Sequence, residues 1–132
     1  MSDSDPHPII LKFGGSSLGG RERLQAVAEI IAGYEETPVV VVSAMGDTTD
    51  QIFGAADAAE QGNLDRVGEL TTEIARAHRA AVDDDDCHEL IGQLVAELTL
   101  VLEGVYLLRE QTPRSRAFVA SFGERLCAPL LV

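Results

Sequence analysis

The apolar positions of the chain change their period twice, and the changes divide it into elements. Residues 8–13, PIILKF, form a short apolar run with β-branched side chains, the pattern of a buried strand. RERLQAVAEIIAGY follows with apolar residues at 24, 27, 28, 31 and 34, which is helical spacing, and Gly33 stands near its end, where helices commonly stop. TPVVVVSAM returns to a strand pattern. Its four consecutive valines predict burial on both faces, as in a parallel sheet. Strand, helix and strand within about 35 residues make a βαβ unit with a right-handed crossover expected.

From there the period stays helical. Residues 52–61 are alanine-rich. A second helix is expected after Asn63, which suits an N-cap, and a third from about His88 to Glu110. A last helix opens on Thr112 as cap with Pro113 in the first turn. The first seven residues, MSDSDPH, are polar and read as a flexible N-terminus. Residues 8–132 read as one lobe. Its closing stretch, LCAPLLV, has an apolar helical pattern without a glycine or polar cap, so the sequence reads as the N-terminal part of a longer protein.

Charge narrows the possible partners. Acids outnumber Lys and Arg by 22 to 10, giving a net charge of -12. That argues against nucleic-acid binding through a basic face. Acids spread along the whole chain and a single lysine suit a protein that stays soluble in high salt, where the Debye length shrinks to about 3 Å at 1 M. A salt-loving source is the expectation. Cys87 and Cys127 show no paired spacing, which suits free thiols and a cytoplasmic protein. No apolar run approaches the roughly 20 residues of a membrane span, so no membrane partner is expected.

The candidate chemistry starts at ILKFGGSSLGG, residues 10–20. A strand runs into Lys12, the chain's one lysine, and then into a loop with four glycines and two serines before a helix. Glycines let backbone N–H groups approach a phosphate, and a helix N-terminus adds partial positive charge. The lysine precedes the glycines, so this is neither a P-loop nor a dinucleotide fingerprint. Alone, such a loop can merely turn the chain, and Lys12 can be a solvated strand end. At the carboxyl edge of an open α/β sheet, however, an ammonium can neutralise a transferring phosphoryl group. The second strand ends similarly, in SAMGDTTD. Ser43 and Thr49 reach the same edge, where hydroxyls can hold a phosphate oxygen or a carboxylate, while Asp47 or Thr48 caps the next helix. DDDD at 83–86 reads as a solvated helix-capping cluster rather than a metal site, because consecutive acids fan around a helix axis. His78 and His88 lack any partner spacing and read as surface residues.

KFGGSSL, VVVVSAMGDTTD and FGERL, in that order, resemble the N-terminal part of aspartate kinase, of the amino acid kinase family. The resemblance runs from Ile9 to Val132. It implies an α/β, three-layer αβα fold whose N-terminal lobe has parallel strands followed by several helices. It also implies transfer of the ATP γ-phosphate to the side-chain carboxylate of L-aspartate, with Mg2+, as the first step of lysine, threonine and methionine biosynthesis, in a full-length protein that is a homo-oligomer. The family's phosphate-binding lysine matches Lys12, which becomes the catalytic candidate. Its nucleotide-contacting loop matches Phe13, Gly14, Gly15 and Ser16. Its amino-acid contacts match Ser43, Thr49 and Glu124, with Glu124 holding the α-ammonium; outside the resemblance Glu124 reads as a surface helix residue. No metal ligand is implied within this stretch. Acetylglutamate, glutamate-5 or uridylate kinase remain alternatives, as does a non-catalytic binding or oligomerisation module.

Overall fold

The computed structural model describes residues 7–131; residues 1–6 of the expected flexible N-terminus, and Val132, lie outside it. The chain runs β1 (Ile10–Phe13), α1 (Arg21–Ala32), β2 (Val39–Val42), α2 (Thr48–Glu60), α3 (Leu64–Ala81), α4 (Asp85–Leu108) and α5 (Pro113–Cys127). A 3-10 turn at Gly15–Ser17 follows β1, and another at Ala128–Leu131 ends the described chain. β1 and β2 pair in parallel, with Ile10 opposite Val39 and Lys12 opposite Val41. The expected βαβ unit is therefore present.

The strands are not buried on both faces, contrary to the expectation from four consecutive valines. Ile10 is 64% exposed, Val39 53% and Val41 45%. Side chains alternate across a strand, and the register sets Ile10, Lys12, Val39 and Val41 on one face. The helices cover only the opposite face, where Phe13 and Val42 pack on the core.

That core is helical. Ile52, Ala55 and Ala59 of α2 meet Ile74 of α3, Leu98 and Leu102 of α4, and Phe122 and Leu126 of α5, all almost fully buried. Alanines along α2 let its neighbours approach closely. Asn63 caps α3 as expected, its side chain accepting from the Arg66 N–H. Thr112 and Ser115 form a reciprocal capping box on α5, with Pro113 in the first turn. Within DDDD, Asp84 is the N-cap of α4 and accepts from the Cys87 N–H.

Three further readings are corrected. His78 is fully buried, because it continues the α3 stripe of Val67, Leu70 and Ile74 one turn further on. His88 is half-buried, its Nε2 lying 2.7 Å from the Val82 carbonyl and 2.9 Å from that of Arg79. α4 spans 24 residues and is, by length and composition, apolar enough to cross a membrane. Its buried Ile91, Leu94, Leu98 and Leu102 instead belong to the helical core, and Glu97 and Glu103 interrupt its outer face.

Candidate phosphate and amino-acid site

The site lies where β1 and β2 both end. β1 stops at Phe13, and the chain turns through Gly14 into the short 3-10 turn, closed by bonds from Ser17 N to Gly14 O and Leu18 N to Gly15 O. The N–H groups of Gly14, Gly15 and Ser16 meet no backbone acceptor among the described residues. Gly14 has extended backbone, which any residue adopts, and a Cβ there would meet nothing within 4 Å. Neither torsion nor crowding requires glycine at 14. What glycine supplies is open space above the backbone, the property a phosphate cradle needs.

Leu18 anchors the loop by inserting fully into the core. Arg23, in the first turn of α1, ties it from the other side: its guanidinium donates to the Ser16 carbonyl at 2.5 Å and lies 3.1 Å from the Cβ position of Gly19. Lys12 is exposed on the open face of the sheet, and among the described residues no carboxylate lies within ion-pair distance of it. Its charge is thus uncommitted in a chain of net charge -12.

β2 delivers the second group. Ser43 N donates to Phe13 O at 3.2 Å, continuing the strand pairing into both loops. Its Oγ lies 3.5 Å from the Cβ position of Gly15, so serine and glycine loop are in contact. Ser43 is half-buried, and its hydroxyl donates to Ala44 O at 3.2 Å. Capping of α2 differs from expectation. Asp47 occupies the N-cap without a side-chain bond, and Thr48, buried, donates its hydroxyl to Met45 O at 2.6 Å. The chain enters the helix through a turn over Met45–Thr48, closed by Thr48 N donating to Met45 O at 3.1 Å, with Gly46 at φ +52° inside it. Thr49 follows in the first turn of α2, half-buried.

α5 completes the arrangement. A Cβ at Gly123 would lie 2.8 Å from the Ala44 Cβ and 3.4 Å from the Thr49 Oγ1. The helix therefore touches the β2–α2 loop at Gly123, and Glu124, the next residue, is exposed beside that contact. Three residues on, Cys127 is buried at the helix end; burial, and secondarily the Glu124 charge, push its thiol up to about 11. Loop contacts thus join Gly15 to Ser43, and Ala44 and Thr49 to Gly123, across three segments far apart in sequence.

The amino acid kinase family's sequence profile matches residues 7–132. The chain belongs to the amino acid kinase family. It is 36% identical over 122 residues to aspartokinase 1, chloroplastic, of Arabidopsis thaliana, covering 89% of this chain and 21% of that protein. It is 37% identical over 123 residues to Arabidopsis aspartokinase 3, covering 87% of this chain and 21% of that protein. The chain thus spans about a fifth of the length of these relatives. Among solved structures, E. coli aspartokinase III in complex with aspartate and ADP (R-state) superposes with a TM-score of 0.81 over 96% of this chain and 28% of that one, at 23% identity. Its complex with lysine and aspartate (T-state) gives 0.66 over 95% and 28%. The fold is the α/β fold of this family, parallel strands followed by helices.

The matched range includes the glycine loop. Arg23, Ala44 and Gly123 gain their roles from the geometry; sequence reasoning assigned none to them, although two of them stand inside the motifs SAMGDTTD and FGERL. A glycine in the interior of an amphipathic helix costs about 1 kcal/mol against alanine, so Gly123 did carry a signal of close approach. Among the described residues, no three His, Cys, Asp or Glu side chains are placed to hold a metal ion.

Proposed function

We propose that the chain supplies the phosphate loop and the amino-acid-binding side of an ATP-dependent phosphotransferase whose acceptor is the side-chain carboxylate of L-aspartate, giving 4-phospho-L-aspartate and ADP. The observation that carries the reading is the junction of the glycine loop, Ser43, Thr49 and the α5 turn bearing Glu124 at one edge of the parallel sheet. The names of the relatives, aspartokinases, support aspartate over other family acceptors, and the aspartate and ADP complex of E. coli aspartokinase III supports a nucleotide as donor.

The chemistry follows from charge. The attacking carboxylate is already ionised, so no general base is needed. The difficulty is bringing an anion against a polyanion, and the remedy is positioning with charge neutralisation. Lys12 supplies the ammonium against the transferring phosphoryl group, and the N–H groups of Gly14, Gly15 and Ser16 supply donors with Phe13 fixing the strand end beneath them. Ser43 and Thr49 offer hydroxyls to the acceptor's carboxylates, and Glu124 offers a carboxylate to its α-ammonium. Mg2+ would arrive with the nucleotide.

The test is ADP release by the enzyme carrying this segment, with L-aspartate, N-acetylglutamate, glutamate and uridylate offered as acceptors. Turnover with aspartate well above the others supports the reading. Preference for another acceptor moves the protein elsewhere in the family, and absence of turnover with all four favours a binding module.

A further inference from the structure

The contact between Gly123 and Ala44 is tighter than the proposed chemistry alone requires, and it lies between the two halves of the proposed amino-acid site. An added Cβ at Gly123 would stand 2.8 Å from the Ala44 Cβ, a separation that real Cβ atoms essentially never show. Gly123 is buried in α5, and Ala44 is buried in the loop after β2. Neither neighbour is the far end of a flexible side chain, so backbone must move if either residue grows. Gly123 has helical backbone and no positive φ. Its glycine is therefore a matter of space, and it is kept in a helix interior despite the propensity cost. The same Cβ position is 3.4 Å from the Thr49 hydroxyl oxygen and 3.8 Å from Ile52 Cδ1. The contact thus bears on the first turn of α2, where Thr49 sits, and on the helix from which Glu124 projects.

We propose that Gly123 and Ala44 are paired positioning residues that set the spacing between Thr49 and Glu124, and so the grip on the amino-acid acceptor. This rests on the reading of Thr49 and Glu124 as acceptor contacts. The glycine loop meets this unit at Ser43 and at the Ala44 carbonyl, which lies 3.6 Å from the Cβ position of Gly15, and not at Gly123. A change at Gly123 therefore acts first on the acceptor side and reaches the nucleotide side only through the Ala44 backbone.

Three variants test it: Gly123→Ala, Ala44→Gly, and the two combined. In the 132-residue chain, amide NMR shifts of Thr49 and Glu124 should move in Gly123→Ala and return toward the parent in the double variant, because removing the Ala44 methyl reopens the space. In the enzyme carrying the segment, Gly123→Ala should raise KM for aspartate by roughly tenfold, with KM for ATP changed less than twofold, and Ala44→Gly should restore most of the loss; misplacement of about 1 Å at a reacting group has effects up to a hundredfold. Unmoved Thr49 and Glu124 amides would overturn the proposal. So would a parallel change in both KM values and in melting temperature that the second substitution does not repair, since that marks a structural defect alone. The acceptor preference of the parent enzyme, measured alongside, bears on the proposed function. The NMR comparison needs no substrate and bears on the positioning contact independently.

Discussion

The Arg23 guanidinium donates to the Ser16 carbonyl at 2.5 Å and lies against Gly19, so a residue of α1 holds the glycine loop from outside. The bond is exposed, and a charge-assisted bond in such a place contributes at the low end of its range, about 1 kcal/mol. Arg23→Ala should weaken nucleotide binding by roughly fivefold, with little effect on aspartate. Arg23→Lys should recover only part, since one ammonium does not reproduce a planar fork. Titration with ADP checks both, and unchanged affinity in Arg23→Ala would remove the strap from the account.

Stability should depend on pH through His78. Its Nδ1 lies 2.7 Å from the Ile74 carbonyl, which can only accept, so Nδ1 holds the proton and Nε2 is left buried without a partner. Burial pushes this imidazole down from its ordinary value, and the Ile74 bond only partly opposes that. In the unfolded chain a histidine takes up its proton near pH 6.5. Below that pH the unfolded state binds a proton that the folded state refuses, so stability falls as pH drops through 6.5 toward the lowered folded value. Above about pH 7.5 the group is neutral in both states and contributes no slope. Chemical denaturation at pH 7.5 and 5.5 should show the fall in the parent, and His78→Leu should flatten it. Equal slopes in both would contradict the assignment.

Salt should stabilise the chain. The net charge of -12 repels itself, and the five ion pairs among the described residues are all between exposed side chains, Arg21–Asp83 and Arg116–Asp57 among them. Exposed pairs contribute roughly 0–1 kcal/mol each and are themselves screened, so relief of the overall repulsion should dominate. Melting temperature is expected to rise between 0.1 M and 2 M KCl. Equal values would count against a protein adapted to high salt.

Much of the architecture was legible because local chemistry determines it. Asn63 and Thr112 announce helix starts through side chains that bond within three residues, and the glycine loop is visible wherever a strand pattern runs into it. What escaped depends on partners distant in sequence. Four valines read as doubly buried, yet Val39 and Val41 face outward because the helices of this chain pack on one another and leave one sheet face open. His78 read as a surface residue because a polar side chain outweighed its place on the α3 stripe. Glu124 was reachable only through family resemblance; from periodicity it is one more exposed residue of α5. The Gly123–Ala44 contact joins residues about 80 positions apart, and no local pattern encodes it.

Lys12 is the sharpest point of the account. It is the chain's one lysine, it stands next to last in β1 just before the glycine loop, and no described carboxylate neutralises it. If it stabilises the transferring phosphoryl group by about 3 kcal/mol, its loss lowers turnover about a hundredfold. The decisive measurement is aspartate-dependent ADP release by the enzyme carrying this segment, with Lys12→Ala and Lys12→Arg beside the parent. A fall in kcat of at least about a hundredfold in Lys12→Ala, unrepaired by Lys12→Arg, is the predicted result. Turnover with aspartate that is unchanged in Lys12→Ala would contradict it.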